Sequence, residues 1–244
     1  MQTSVTNSAA SSTPSARPTT AAVPTNVPAV WWTSSPTRHS CVDCGTQNCK
    51  YQNRTYPEFC PTTHLKEEDL QWALERYDEP RNHDIMVASA EVEYEGYCQW
   101  TRVQEIMEFA RKIGAHKIGI AHCIGLIREA RIFARILQAN GFEPLAVICK
   151  VAGKSKSSIG IPQACESIGA AMCNPILQAR LLNEAQTDLN VVIGLCVGHD
   201  SLFYKYSEAY ATTLVTKDRV TGNNPAAALY TAESYYRKKF GLKG

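Results

Sequence analysis

From residue 62 onward, apolar and polar positions recur with regular periods, and the period changes midway. "KEEDLQWALERY" (66–77) places Leu70, Trp72, Ala73, Leu74 and Tyr77 after an acidic first turn, which predicts a helix that Pro80 ends. Residues 82–97 read as a second helix, closed by Gly96. A third follows Thr101, which with Gln104 forms a capping box. Val103, Ile106, Met107, Ala110 and Ile113 share one face of it, and Gly114 stops it.

The pattern then switches to strand, helix, strand. "KIGIAH" (117–122) is a short apolar run, and in residues 125–141 Leu126, Ala130, Phe133 and Leu137 return at helical spacing. Further strands are expected at 144–149, more weakly at 169–173, and at 190–196 and 211–217. Asn174 and Pro175 open a helix over 174–186, a short helix is expected near 200–207, and a last one opens at Asn224 and Pro225 and runs to about Phe240. Near-continuous apolar strands alternating with amphipathic helices predict a doubly wound, mostly parallel α/β sheet, Rossmann-like or flavodoxin-like, covered on both faces.

That architecture gives four cysteines a common address. Cys123, Cys149, Cys173 and Cys196 each close one of the expected strands. Parallel strands all end along one edge, about 4.8 Å apart, and open α/β sheets bind ligands outside that edge. Packing alone would scatter the four along their strands. They are therefore candidate ligands of one site, with Cys123 and Cys149 expected as neighbours. Cys165, in the loop before the weak strand, is a substitute ligand.

Composition narrows the classes. The 244 residues are 44% hydrophobic, enough for a real core, and 25 basic against 23 acidic residues leave a formal charge of +2. So balanced a chain gives no basic surface for nucleic acid, and no apolar run is long enough to span a bilayer. A small-molecule partner or none is expected, without nucleic acid or membrane. Residues 1–40 are dominated by Ser, Thr, Ala and Pro, contain no acid, and read as a disordered tail without a secretory signal. The division expected is therefore a tail at 1–40, a cysteine-rich segment at 41–62, and a helical region plus α/β domain at 63–244.

The cysteine-rich segment runs Cys41-x2-Cys44-x4-Cys49-x10-Cys60. A disulfide framework suits small secreted domains, whereas this chain has ten cysteines, a large core and no signal for export. Four thiolates suit zinc or an iron–sulfur cluster. The absence of a second Cys-x2-Cys pair and the closing Cys60-Pro61 favour the cluster.

Whole segments, "CVDCGTQNC", "EVEYEGY", "TRVQEIMEFARKIGAHKIGIAHCIGL", "MCNPILQARLLNEAQTDLNVVIGLCVGHDSLFYKYS" and "TTLVTKDRVTGNNPAAALY", resemble the cysteine-rich bacterial and archaeal family catalogued as domain of unknown function 1847. The likeness covers roughly residues 41–240. It implies metal binding in a prokaryotic-type cytoplasm and implies no reaction.

His199 follows Cys196 closely and is a candidate ligand or general base, with Asp200 beside it; the structural alternative has Asp200 or Ser201 capping a helix. His122 reads as a core histidine, and Glu91, Glu93 and Glu95 as a solvated face. "KVAGKSKSS" (150–158) lacks the first glycine of a phosphate-binding P-loop, since position 148 is isoleucine, and is instead a basic loop able to attract an anion. No dinucleotide fingerprint follows "KIGIAH", so neither ATP nor NAD is expected. Two classes remain. One is a thiolate-metal enzyme of redox or sulfur chemistry at the strand-end edge. The other is a zinc-binding or metal- or redox-sensing module without catalysis.

Overall fold

A computed structural model describes residues 39–53 and 55–243. The reading of a disordered tail falls almost wholly on residues outside that range. The chain divides into two compact units, Met1–Leu74 and Glu75–Gly244.

In the first unit, a 3-10 turn at Cys41–Asp43 precedes short helices α1 (Asn48–Tyr51) and α2 (Pro61–His64). Helix α3 (Glu67–Tyr77) begins in this unit with Glu67, Glu68 and Asp69 in its first turn and buries no residue. Its apolar positions therefore do not mark a core face.

The second unit opens with α4 (Pro80–Gly96) and α5 (Arg102–Lys112). The capping box is present, with Gln104 Oε1 accepting from the Thr101 N–H at 2.9 Å. Glu91 and Glu95 are not merely solvated, because both pair with Lys112 Nζ, at 3.0 and 2.7 Å. The chain then runs β1 (Lys117–His122), α6 (Ile127–Ala139), β2 (Glu143–Ile148), α7 (Pro175–Glu184), β3 (Leu189–Ile193), α8 (His199–Tyr206), β4 (Tyr210–Val215) and α9 (Ala226–Tyr230).

The four strands form one sheet in the order β2-β1-β3-β4, every pair parallel. Alternate strand residues serve opposite faces. Ile118, Ile120, Leu189, Val191 and Ile193 pack with Ile106, Met107 and Ala110 of α5 and with Ala130, Phe133 and Leu137 of α6. Ala121 and Val192 meet Ala179 and Leu182 of α7 and Phe203 of α8 on the other face. The apolar stripes read from the sequence for α5 and α6 are these core contacts. Each fully buried aliphatic or aromatic side chain contributes about 1.5–3 kcal/mol.

Two expected elements are absent or shorter. Residues 169–173 form no strand; Ala171 makes only an isolated antiparallel bridge with Ser155. Glycine and alanine give this run little side chain to pack on a sheet, and its partner lies within the same long β2–α7 loop. The last helix ends at Tyr230 rather than near Phe240. Beyond it the chain winds in turns, with Thr231 Oγ1 donating to the Ala227 carbonyl at 2.8 Å and Tyr236 N–H to the Thr231 carbonyl at 3.0 Å. Among the described residues no helix is long and apolar enough to cross a membrane.

Candidate thiol site at the carboxyl edge of the sheet

Backbone hydrogen bonds that continue past the strands assemble this edge. Cys123, directly after β1, donates its N–H to the Ile193 carbonyl at 3.0 Å, and Cys149, directly after β2, donates to His122 at 2.8 Å. The two cysteines thus occupy neighbouring positions. Asn174 donates its N–H to the Cys149 carbonyl at 2.7 Å, and its side chain caps α7 by accepting from Leu177 N at 3.1 Å. Asn174 therefore returns the long loop to the sheet and brings Cys173 beside Cys149. Buried Gln178 steadies the same corner, its amide nitrogen 2.7 Å from the Val147 carbonyl and 3.3 Å from that of His122.

The outcome is a row of thiols. Cys123 and Cys149 are buried, Cys173 and Cys196 are half-buried, and all ten cysteines of the chain are free. Cys123 and Cys149 share one buried cluster with Cys173 packed against it, and the Cys149 sulfur accepts the Ile124 N–H at 3.3 Å. Three sulfurs so close cannot all ionise. Contact with Cys123, then with Cys173, and burial push the Cys149 thiol up, so it keeps its proton. Cys123 is drawn down to about 5, chiefly by the Cys149 thiol, then by the Gly125 N–H and the charge of Lys217. Cys173 is drawn down by Cys149, by His199 and by Lys150. The contact with Cys173 in turn raises His199.

His199 is the first residue of α8, preceded by Gly198 at the cap position. Neither Asp200 nor Ser201 caps the helix. Asp200 Oδ1 accepts the Ser201 N–H at 2.8 Å, and its charge acts on His199. His122 is buried, with Nδ1 3.1 Å from the Cys123 carbonyl, and takes no part in the row. Cys196 stands three residues beyond β3, its sulfur 3.1 Å from Arg219 Nη2. Cys165 is exposed, and its carbonyl receives the ammonium of Lys156. That bond buries Lys156 within the loop read as basic, while Lys150 faces Cys173.

Cys123, Cys149, Cys173 and His199 are a donor set of the kind that holds zinc or an iron–sulfur centre. They gather at one edge, but among the described residues no three His, Cys, Asp or Glu groups close around one point as metal ligands do. Lys150, Lys217 and Arg219 belong to the same edge, and the cysteine pattern alone does not reveal the last two. Their place just past β4 is the signal, by the same strand-end rule that picks out the cysteines.

In the amino-terminal unit, Cys41 and Cys49 are exposed, Cys44 is half-buried and Cys60 is buried. Cys49 Sγ lies 3.7 Å from Thr62 Oγ1, and that hydroxyl is also the main group lowering the Cys60 thiol, against which the Cys44 charge acts. Cys44 Sγ is 3.5 Å from Thr46 Oγ1, the main cause of its own lowering, and the Cys41 carbonyl accepts the Cys44 N–H at 3.3 Å. Cys49 and Cys60 thus share Thr62, while Cys44 turns to Thr46.

A family model described as "Protein of unknown function (DUF1847)" matches residues 60–214. The matched span contains Cys60, Cys123, Cys149, Cys173, Cys196 and His199, and ends before Lys217. Over 174 residues the chain is 47% identical to an uncharacterised protein of Methanocaldococcus jannaschii, covering 71% of this chain and 89% of that protein. No solved structure matches.

Proposed function

Because this chain belongs to the DUF1847 family, which brings no reaction with it, we propose its function from the thiol site itself. The protein is a thiolate metalloprotein whose centre is held by Cys123, Cys149 and Cys173, with His199 completing the set. That centre carries redox or sulfur chemistry on a small molecule at the carboxyl edge of the sheet. The observation that carries this reading is the burial of Cys123 and Cys149 in one cluster, with Cys173 packed against it. A soft cation would let all three sulfurs ionise, whereas without one Cys149 must keep its proton.

An iron–sulfur cluster is the first choice and zinc the second. Either would supply the electron-transfer or Lewis-acid chemistry, and the protein would supply ligands, burial and access from the edge. Cys196 and Asp200 stay outside the set, near enough to act on a bound substrate. Cys41, Cys44, Cys49 and Cys60 form a second, structural thiolate site within their own unit. Reduced thiols at both places suit a reducing cytoplasm.

The test is purification without oxygen, followed by metal analysis and a visible spectrum. Bound iron or zinc is expected, and Cys149→Ser should lose the strand-end share while keeping the wild-type circular dichroism. A protein that holds no metal, and takes up neither zinc nor iron with sulfide, would overturn the proposal and leave a metal-free thiol site.

A further inference from the structure

The edge that carries the thiols also carries cations without carboxylate partners. Lys217 and Arg219 lie two and four residues beyond β4, and β4 pairs with β3, which leads to Cys196. A β-carbon built on Gly125 would stand 3.7 Å from Lys217 Nζ and 3.9 Å from Cys123 Sγ. The ammonium and the sulfur therefore flank one bare stretch of backbone. Gly194 leaves room for Leu126, whose Cδ1 would stand 2.0 Å from a β-carbon there, and the stem of Lys217 passes the same glycine, with Cε 3.7 Å from that position. Arg219 reaches Cys196 Sγ at 3.1 Å. Asp218, the acid between the two cations, is turned into its own loop, where Oδ1 accepts the N–H groups of Val220 and Thr221 at 2.8 and 3.0 Å. Among the described residues none of Lys150, Lys217 and Arg219 forms an ion pair with a carboxylate.

Two fixed positive charges on a half-open edge attract an anion, and a guanidinium offers a planar pair of donors to an oxyanion. The missing side chain at Gly125 leaves the backbone beside the Lys217 ammonium open to such a group. We propose that a small oxyanion, such as phosphate or sulfate, binds between Lys217 and Arg219 beside the bare backbone of Gly125, and that this is the substrate class of the edge. The substrate role rests on the thiolate-centre reading above; the binding subsite does not.

Calorimetric titration of the full chain, as purified, with inorganic phosphate and with inorganic sulfate tests both parts. At low ionic strength the wild type should bind one or both saturably, and added potassium chloride should weaken binding by screening. The K217Q/R219Q double variant should bind at least about tenfold more weakly, a factor worth about 1.4 kcal/mol. K154Q, which removes an exposed positive charge elsewhere on the long loop, should bind as the wild type does. Metal analysis on the same samples separates the two readings. Unchanged metal content beside lost anion binding supports the subsite. A protein that never holds metal yet binds the anion through Lys217 and Arg219 also supports it and removes the centre. Equal binding by the double variant and the wild type, no saturable heat with either ion, or joint loss of metal and anion in the double variant would overturn it.

Discussion

Asn174 donates its backbone N–H to the carbonyl of Cys149 at 2.7 Å, and this bond ties the residue after a loop cysteine to a strand-end cysteine. The side chain of Asn174 separately caps α7. Asn174→Ala should therefore keep the backbone bond and lose the cap, costing about 1 kcal/mol. For a domain of this size that is a fall of roughly 2–4 °C in melting temperature. A melting curve unchanged from wild type would show that the cap contributes nothing.

Gly119 admits no larger residue. A β-carbon there would stand 1.9 Å from Asn190 Oδ1 and 3.1 Å from Leu182 Cδ1. Asn190 is buried and held at both ends, accepting from Thr187 Oγ1 and donating to Ser207 Oγ, each at 2.8 Å. Gly119→Ala should cost about 1–3 kcal/mol through overpacking, read from the midpoint of a urea unfolding curve. A neutral result would mean that Asn190 shifts without losing its bonds.

The loop that presents Arg219 should loosen in acid. The N–H groups of Thr221 and then Val220 hold the Asp218 carboxyl below its usual range. A lowered carboxyl contributes stability above the ordinary pKa of about 3.9 and loses it as the pH falls through the folded value. Hydrogen exchange at the Val220 and Thr221 amides should therefore show protection at neutral pH that fades below about pH 4. In Asp218→Asn that pH dependence should vanish. Protection that persists unchanged into strong acid would contradict the assignment.

The amino-terminal cysteines should answer separately from the sheet. Cys44→Ser should release metal from residues 41–60 and open that stretch to protease, while the α/β unit melts as in the wild type. Retention of the full metal content would remove Cys44 from the ligand set.

Much of this architecture is legible in the chain because helix faces are written locally. Leu126, Ala130, Phe133 and Leu137 announce their side of the helical stretch by spacing, and all four are buried. Strand neighbours are not written that way. The β2-β1-β3-β4 order depends on pairings between residues far apart in the chain, and it leaves Cys149, Cys123 and Cys196 on successive strands. With that order Cys173, taken as the end of a strand, would be peripheral. It is central because Ala171 and Met172 lie in a loop that folds back on the sheet, and no periodicity marks such a return. Arg219 carries no local mark for a related reason: it reaches Cys196 from the end of the neighbouring strand.

The three contacting thiols are also unequal in their moorings. Cys123 and Cys149 are fixed by hydrogen bonds that prolong the sheet, whereas Cys173 hangs on a loop fastened by the Asn174–Cys149 bond, the Ser155–Ala171 bridge, the Met172–Lys154 bond of 2.8 Å, the Lys156–Ala170 bond of 2.9 Å and the Lys150 ammonium on the Ala171 carbonyl. Undoing those fastenings would move one sulfur and leave the core contacts of the sheet itself in place. Such a trio works as a socket with a latch. Two of the sulfurs are set by the frame, and the place of the third follows whatever that one loop does.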